Sequence, residues 1–407
     1  MGDAASVDPD VVVGVDVGKR HHYGCAVDRD GAVVWEGRLG NDEPELADLL
    51  SRLSADGSAL VVVDQLAAIG ALIVKVASGC GVAVGYLPGL SMRRLADLHP
   101  GSAKTDRRDA HVIADAGRSM RHVVQLVDPD DDELAADIAV LAGYDEDLRG
   151  QVNRESNRLH DALTHVHPAL ERALSGHLQR AGVLALLAEA PGPAALRALG
   201  ADRISQAMKD GGSPRLAMTL PSRIMTALEE QTVTIPGTAA FSRVIAGTAA
   251  RLRQLLVERD RLEAELAALL EAHPFGEVLL SMPSVGTRTA AGIIAHAPDP
   301  AAFRSADAFV SYCGLSPVTR QSGTSIRGER PNRGGNRALR NVMWRSADIA
   351  RLTHPASRDF YQRKRAAGKT HAAAMLALAR RRARVIHALM KHRTRYAEPS
   401  PQLPAAA

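Results

Sequence analysis

The stretch VVVGVDV, residues 11–17, restricts this chain more than any other. Five β-branched valines in seven positions suit a pleated strand far better than a helix, and Gly18 closes the run. A second strand-like piece, HYGCAVD, leads through the turn DRDG into a third, AVVWEGR, and the three read as an antiparallel meander. A helical segment around PELADLLSRLSA follows, then a buried-type strand ALVVVDQ, a helix around AAIGALIVKVAS, a strand VAVGYLP and a helix opening at KTDRRDAHVIAD. Three strands followed by alternating helices and strands predict an α/β layer with helices on the sheet over residues 1–127.

From Asp128 the pattern changes to long helical periodicity, opened by the acidic DPDDDEL that suits a helix amino terminus. Residues 128–275 are expected to be helical. Leu134, Ile138, Leu141, Leu148, Val152, Leu159 and Leu163 recur at helical steps, and residues 173–240, broken by PGP, GGSP and PG, read as short helices and loops. A second long helix carries Phe241, Ile245, Thr248, Leu252, Leu255, Arg259, Leu262, Leu266 and Leu269 at alternating steps of four and three, a coiled-coil signature. Its partner is either a second subunit or the first long helix of the same chain. Residues 276–395 form a basic, mostly helical final segment, and 396–407 read as a disordered tail.

Charge is divided unevenly. Residues 277–407 hold 22 Lys and Arg against 7 Asp and Glu, although the whole chain is only +4. A basic third on an acidic body predicts a grip on a polyanion, of which nucleic acid is the commonest. Only seven of the 50 basic residues are Lys, and the planar fork of Arg suits phosphate. The three cysteines, Cys25, Cys80 and Cys313, form no CxxC pair, which predicts buried apolar thiols in a reducing compartment rather than disulfides or zinc ligands. No apolar run reaches the ~18 residues of a membrane span. The acidic opening MGDAASVDPD lacks a signal peptide's regions, so a cytoplasmic location is expected.

Two pairs of carboxylates stand where a core has no use for charge. On a helix over KTDRRDAHVIAD, Asp106 and Asp109 point the same way as Val112 and Ile113, whereas Arg107 and Arg108 point elsewhere. Asp16 interrupts the first valine run and Asp64 ends the strand ALVVVDQ. Clustered buried carboxylates repel one another, so a cation between them is expected, and an all-oxygen donor set favours Mg2+ or Mn2+ over zinc. Four carboxylates holding two metals suit phosphoryl transfer. Their placement on strand one, strand four and a later helix is the layout of the RNase H-like (RuvC-like) fold. VVVGVDVGKRHH with its meander also resembles the first phosphate loop of the actin and sugar-kinase ATPases. Those proteins need a second, duplicated sheet domain, and this chain continues into helices instead.

In the basic third, SMPSVGTRTAAGIIAHA (281–297) looks like half of a helix-hairpin-helix, with Gly286 and the following helix start offering backbone N–H groups to a phosphate; an ordinary turn is the alternative. Next comes a stretch with Arg320, Arg327, Arg330, Arg333, Arg337 and Arg340 against the single acid Glu329. Its Gly, Ser, Asn and Pro content predicts a loop that ends at a helix starting near Asn336, a phosphate site when loaded with arginine. Ser322, in TRQSGTS, sits inside it as either a nucleophile or a turn former. Lys19, beside Asp16, is a further nucleic-acid contact candidate.

Taken together, GVDVGKRHH, VVVDQ, KTDRRDAHVIAD, MPSVGTRTAAGIIA, FRSADAFVSYCGLSP, QSGTS and GGNRALRNVMWRSA, in that order, resemble the transposases of the insertion sequence 110 family, the bridge-RNA-guided DEDD recombinases of bacteria. The resemblance implies that Asp16, Asp64, Asp106 and Asp109 form a metal-binding catalytic tetrad and that Ser322 links covalently to a DNA phosphate. Family members commonly carry Glu where this chain has Asp64. It also implies a homodimer or tetramer bridged by the coiled coil, DNA partners at the element ends and target, a structured non-coding guide RNA, and a nucleoid-associated location. Two other readings remain open on the residues alone: a metal-dependent nuclease or resolvase in which Ser322 is a loop residue, and a non-catalytic nucleic-acid scaffold.

Overall fold

A computed structural model describes residues 8–66, 68–98, 105–127, 133–297, 303–322, 326–331 and 334–398. By its internal contacts the chain divides into two units, residues 138–271 and residues 1–137 together with 272–407.

The second of these units begins with β1 (Val11–Asp16), β2 (His21–Asp28), β3 (Val33–Gly40), α1 (Glu43–Leu53), β4 (Ala59–Val63), α2 (Ala71–Gly79), β5 (Ala83–Tyr86), α3 (Gly89–Ala96), α4 (Asp106–Ser119) and β6 (Gln125–Val127). The strands form one sheet in the order β3-β2-β1-β4-β5-β6. β1, β4 and β5 are parallel, and β2, β3 and β6 run against their neighbours. This is the meander followed by β/α alternation that the sequence predicts, consistent with an RNase H-like domain. The short edge strand β6, half-buried throughout, has no sequence signal strong enough to announce it.

Alternating side chains supply two layers. Val13, Val15, Val61 and Val63 pack under α1 and α2, whereas Val12, Leu60 and Val62 pack under α4. The second layer is unusually thin at one point. A Cβ added to Gly14 would lie 2.2 Å from the Ala114 nitrogen, and one added to Gly117 would lie 2.7 Å from Val12 Cγ1. Backbone therefore rests on backbone where α4 crosses β1, and these contacts also give the helix its direction. Later α4 residues lie over earlier β1 residues, so the start of α4 overhangs the carboxyl end of β1.

The basic segment of the same unit contains α11 (Gly276–Leu280), α12 (Thr287–His296), α13 (Ala306–Tyr312), β7 (Pro317–Ser322), β8 (Ile326–Pro331), α14 (Arg337–Thr353), α15 (Pro355–Ala366) and α16 (His371–His392). Asn336 caps α14 by accepting from the Leu339 N–H at 3.0 Å, where the sequence predicts the helix to begin. The predicted loop before it is instead an antiparallel hairpin, with Val318 opposite Arg330 and Ser322 opposite Ile326. Turn-rich composition misled here because backbone pairing, indifferent to side-chain type, decides a two-stranded ribbon. The first residues of the predicted tail are held to the fold: the Tyr396 N–H donates to Ser281 Oγ at 2.8 Å and His354 meets Glu398 at 3.3 Å. Residues 399–407 lie outside those described.

The other unit holds most of α5 (Glu133–Val166) and α10 (Thr238–Ala272), with α6 (Pro168–Leu174), α7 (Ala181–Glu189), α8 (Pro193–Asp210) and α9 (Leu220–Glu229) between them. Arg259 grips Asp145 through two 3.0 Å hydrogen bonds, and Arg251 meets Glu155 at 3.3 Å. The two long helices therefore run antiparallel within one chain, the second of the two partnerships the heptads allow. Val152, Leu159, Leu163, Ile245 and Leu252 close a core with α7 to α9. No described helix is long and apolar enough to cross a membrane.

Because α4 leaves no room for a methyl group over β1, Gly14→Ala should lower the unfolding free energy by about 1–3 kcal/mol. Gly143→Ala in α5, where nothing lies within 4 Å of the added carbon, should be neutral or stabilise by up to about 1 kcal/mol. Chemical denaturation of both variants checks this. Equal midpoints for the two would contradict the close crossing.

Candidate functional site

Parity and register bring the strand carboxylates together. Asp16 shares the α4 side of the sheet with Val12, and Asp64 shares it with Leu60 and Val62. The parallel register pairs Val15 with Val63, so Asp16 and Asp64 are the next neighbours at the strand ends. The Val17 N–H donates to Asp64 Oδ1 at 3.4 Å, tying the end of β1 to that of β4.

α4 contributes the other two. Thr105 caps it by accepting from the Arg108 N–H at 3.3 Å, and Asp109, in the first turn, is 9% exposed. Burial raises the pKa of Asp64, the Val17 N–H opposes that rise, and the nearby charge of Asp109 adds to it. Asp64 and Asp109 thus feel each other across the sheet–helix seam. Asp106 departs from the expected buried face: it is exposed, one turn above Asp109 at the rim, because the helix overhangs the sheet end there. Arg107 turns away to pair with Glu36, and Arg108 donates to the Ala96 carbonyl at 2.9 Å.

Among the described residues, no three His, Cys, Asp or Glu side chains are drawn into a ready cation cage. The donor chemistry nonetheless fits a hard divalent ion. The groups are carboxylates on one face and at one edge, and the charge of Asp109 disfavours ionisation of Asp64, a penalty a cation reverses.

In the basic segment, Ser322 is the last residue of β7, and residues 323–325 that follow it lie outside the described residues. Arg320, Arg327 and Arg330 lie on the same hairpin, and Arg333 lies outside the described residues. Arg337 is exposed in the first turn of α14. Arg340 is folded back: its guanidinium donates to the Gly334 carbonyl and lies where a Cβ on Gly314 would be, so it braces the loop entering α14. Gly286 caps α12 without a side-chain bond, in extended backbone with open space around it. Lys19 is exposed in the turn after β1.

Two family profiles match the chain: one described as a transposase, DEDD type of IS110, over residues 13–168, and one described as the transposase IS116/IS110/IS902 family, over 276–362. The 43.6 kDa protein of insertion element IS110 from Streptomyces coelicolor is 46% identical over 390 residues, 96% of each chain. The 42 kDa protein of insertion element IS900 from Mycobacterium paratuberculosis is 33% identical over 95% of this chain and 97% of its own. This chain belongs to the IS110 family of transposases. A pilin gene-inverting protein of Moraxella bovis is 28% identical over 116 residues, 28% of the transposase and 36% of its own length.

Two residues of the transposase escaped the sequence reading. His22, 1% exposed, accepts from the Gly18 N–H through Nδ1 at 3.2 Å and meets Asn41 Oδ1 through Nε2 at 3.2 Å. It fixes the turn that follows Asp16 and carries Lys19. The HH doublet of the sequence does not reveal which imidazole turns inward. Arg382, 3% exposed, donates to the Pro283 carbonyl at 2.8 Å and to Ser346 Oγ at 3.0 Å, holding the turn before α12. Burial pushes its pKa down to about 10. Residue type in the run ARRRAR does not distinguish it, but its steps of four from Leu378 and to Ile386 put it on the apolar face of α16. Two of the thiols are buried as expected, and burial pushes Cys25 up to about 11 and Cys313 up to about 12, whereas Cys80 is half-buried.

His22 has a measurable signature. Burial lowers its pKa below the ordinary imidazole value. Its contribution to stability is therefore complete above about pH 6.5 and is lost as pH falls toward the lowered value. The stability advantage of the wild type over His22→Gln should shrink between about pH 7.5 and pH 5 in urea titrations. Parallel pH curves would mean the imidazole does not titrate in this range.

Proposed function

We propose that this transposase cuts and rejoins DNA strands through Ser322, assisted by magnesium or manganese held by Asp16, Asp64, Asp106 and Asp109. What supports the reading is the placement of three of those carboxylates on one sheet face, two at the ends of adjacent parallel strands and one from the first turn of the helix packed across them. Asp106 at the rim is the fourth. The divalent ions supply charge neutralisation at the phosphate and polarise the oxygens around it. Asp64, one methylene shorter than the Glu common in the family, keeps the charge and relies on its bond from the Val17 N–H for orientation.

In this reading Ser322 Oγ attacks the phosphorus of a DNA phosphodiester. A Ser–O–P bond forms as a strand P–O bond breaks, and the serine proton ends on the displaced strand oxygen. The reverse step, with the hydroxyl of a different strand end, restores a phosphodiester and frees the serine, so no external energy source is needed. Basic residues at the hairpin, at Arg337, at Lys19 and at the amino end of α12 beside Gly286 hold the flanking phosphates. Two copies of the chain act together, with the tetrad of one meeting the serine of its partner, and a structured non-coding RNA selects donor and target. The named activity of the pilin gene-inverting relative, a DNA rearrangement, supports recombination over simple hydrolysis.

The decisive experiment incubates the full-length protein and its variants with element-end DNA and Mg2+, then separates the products under denaturing conditions. The wild type should yield a covalent protein–DNA species. Ser322→Ala should abolish that species and cleavage together, and Asp109→Asn should slow both by about 100-fold or more. Cleavage that survives in Ser322→Ala would replace this reading with a metal-only resolvase. Cleavage that survives in Asp109→Asn and is indifferent to chelator would remove the carboxylates from the chemistry.

A further inference from the structure

The strongest unassigned surface lies at the joint between α15 and α16. From Phe360 to Ala397 the sequence contains eleven Lys and Arg and no Asp or Glu. Exposed helices ordinarily mix signs, because like charges one turn apart destabilise the helix that bears them. Arg363, Arg365 and Lys369 are exposed, and Lys364 is half-exposed. Among the described residues none of these four is paired with a carboxylate, and the one acid on α15 is Asp359.

The joint is built to hold its charges in place. Gly368, at φ 79°, closes α15, and the Lys369 N–H returns to the Lys364 carbonyl at 3.2 Å. Arg365 donates to the Lys369 carbonyl at 3.0 Å, a second tie across the turn that bears the cations. Beside it, Lys364 and Arg381 both lie over the Phe360 ring, at 5.4 and 5.0 Å from its centre. The ring's negative face gathers two cations that repel each other. A surface that fixes like charges, leaves them in solvent and brings no acid to them is complementary to a closely spaced row of anions.

We propose that the α15–α16 joint is a docking surface for the sugar–phosphate backbone of duplex DNA, separate from the hairpin that bears Ser322 and from the carboxylate edge. Exposed Arg and Lys side chains meet phosphates rather than base edges, so the surface binds without reading sequence and adds affinity for DNA flanking the reacting phosphodiester. The inference rests on this family's action on DNA and is independent of the serine chemistry.

The test is equilibrium binding of the full-length protein to a mixed-sequence DNA duplex over a salt series, comparing wild type with R363Q/K364Q/R365Q/K369Q. Removing four phosphate contacts should weaken binding at least tenfold and reduce the slope of log affinity against log salt by about 3.6. The charge-preserving R363K/R365K should retain the wild-type slope, and K369Q alone should lower it by about 1, which separates a lost contact from a lost fold. Unchanged affinity and slope in the quadruple variant would overturn the proposal. So would weakened binding of a stem–loop RNA with duplex binding intact, which would assign the surface to RNA. Ser322→Ala, measured alongside, should bind with the wild-type slope whether or not the serine reading survives.

Discussion

Everything at the carboxylate edge depends on the backbone contact between α4 and β1. At Gly14 the helix backbone rests directly on the strand backbone, and at Gly117 the helix closes onto the Val12 and Val62 side chains. That closeness sets both the depth and the direction of α4, and so determines that its acidic first turn ends above Asp16 and Asp64. A larger residue at Gly14 would lift the helix and draw Asp109 away from Asp64. The site is therefore positioned by the least chemically conspicuous residues near it.

The same closeness has an electrostatic cost. Asp109 is buried near Asp64, and burial of Asp64 together with the Asp109 charge makes the ionised form of Asp64 unfavourable by itself. The Val17 N–H offsets part of this at one oxygen. Around the pair the fold is otherwise well satisfied, with His22 taking up the next amide of the same turn and the Thr105 cap completing the start of α4. A locally unfavourable charge cluster within a strongly determined frame is the usual condition of a catalytic centre, where stability is given up for reactivity.

Much of this was legible in the residues, for reasons that can be named. Charge inside an apolar strand, as at Asp16 and Asp64, has few structural uses, and period-two alternation assigns each to a face. Asn336 announces α14 because a side-chain acceptor at a helix start satisfies a specific N–H. Other features were opaque. The hairpin of β7 and β8 is held by backbone pairing that glycine- and serine-rich sequence neither favours nor forbids. Arg340 looks like any phosphate-binding arginine until its folded position against Gly314 and Gly334 is seen. His22 is chemically identical to its exposed neighbour in HH, and Arg382 differs from the rest of ARRRAR only in its place on the apolar face of α16.

The amino-acid sequence alone determined strands β1 to β5 and the long helices of this transposase, the face on which each strand carboxylate lies and the concentration of positive charge in its last third, because periodicity and composition are local properties. It also carried the ordered motifs by which the family is identified. Tertiary structure decided which end of α4 overhangs the sheet, that Asp106 stands at the rim while Asp109 is buried, and that the two long helices pair within one chain. Those outcomes depend on contacts between residues roughly a hundred positions apart, such as Gly14 with Ala114 and Asp145 with Arg259, whose free energy no local pattern encodes.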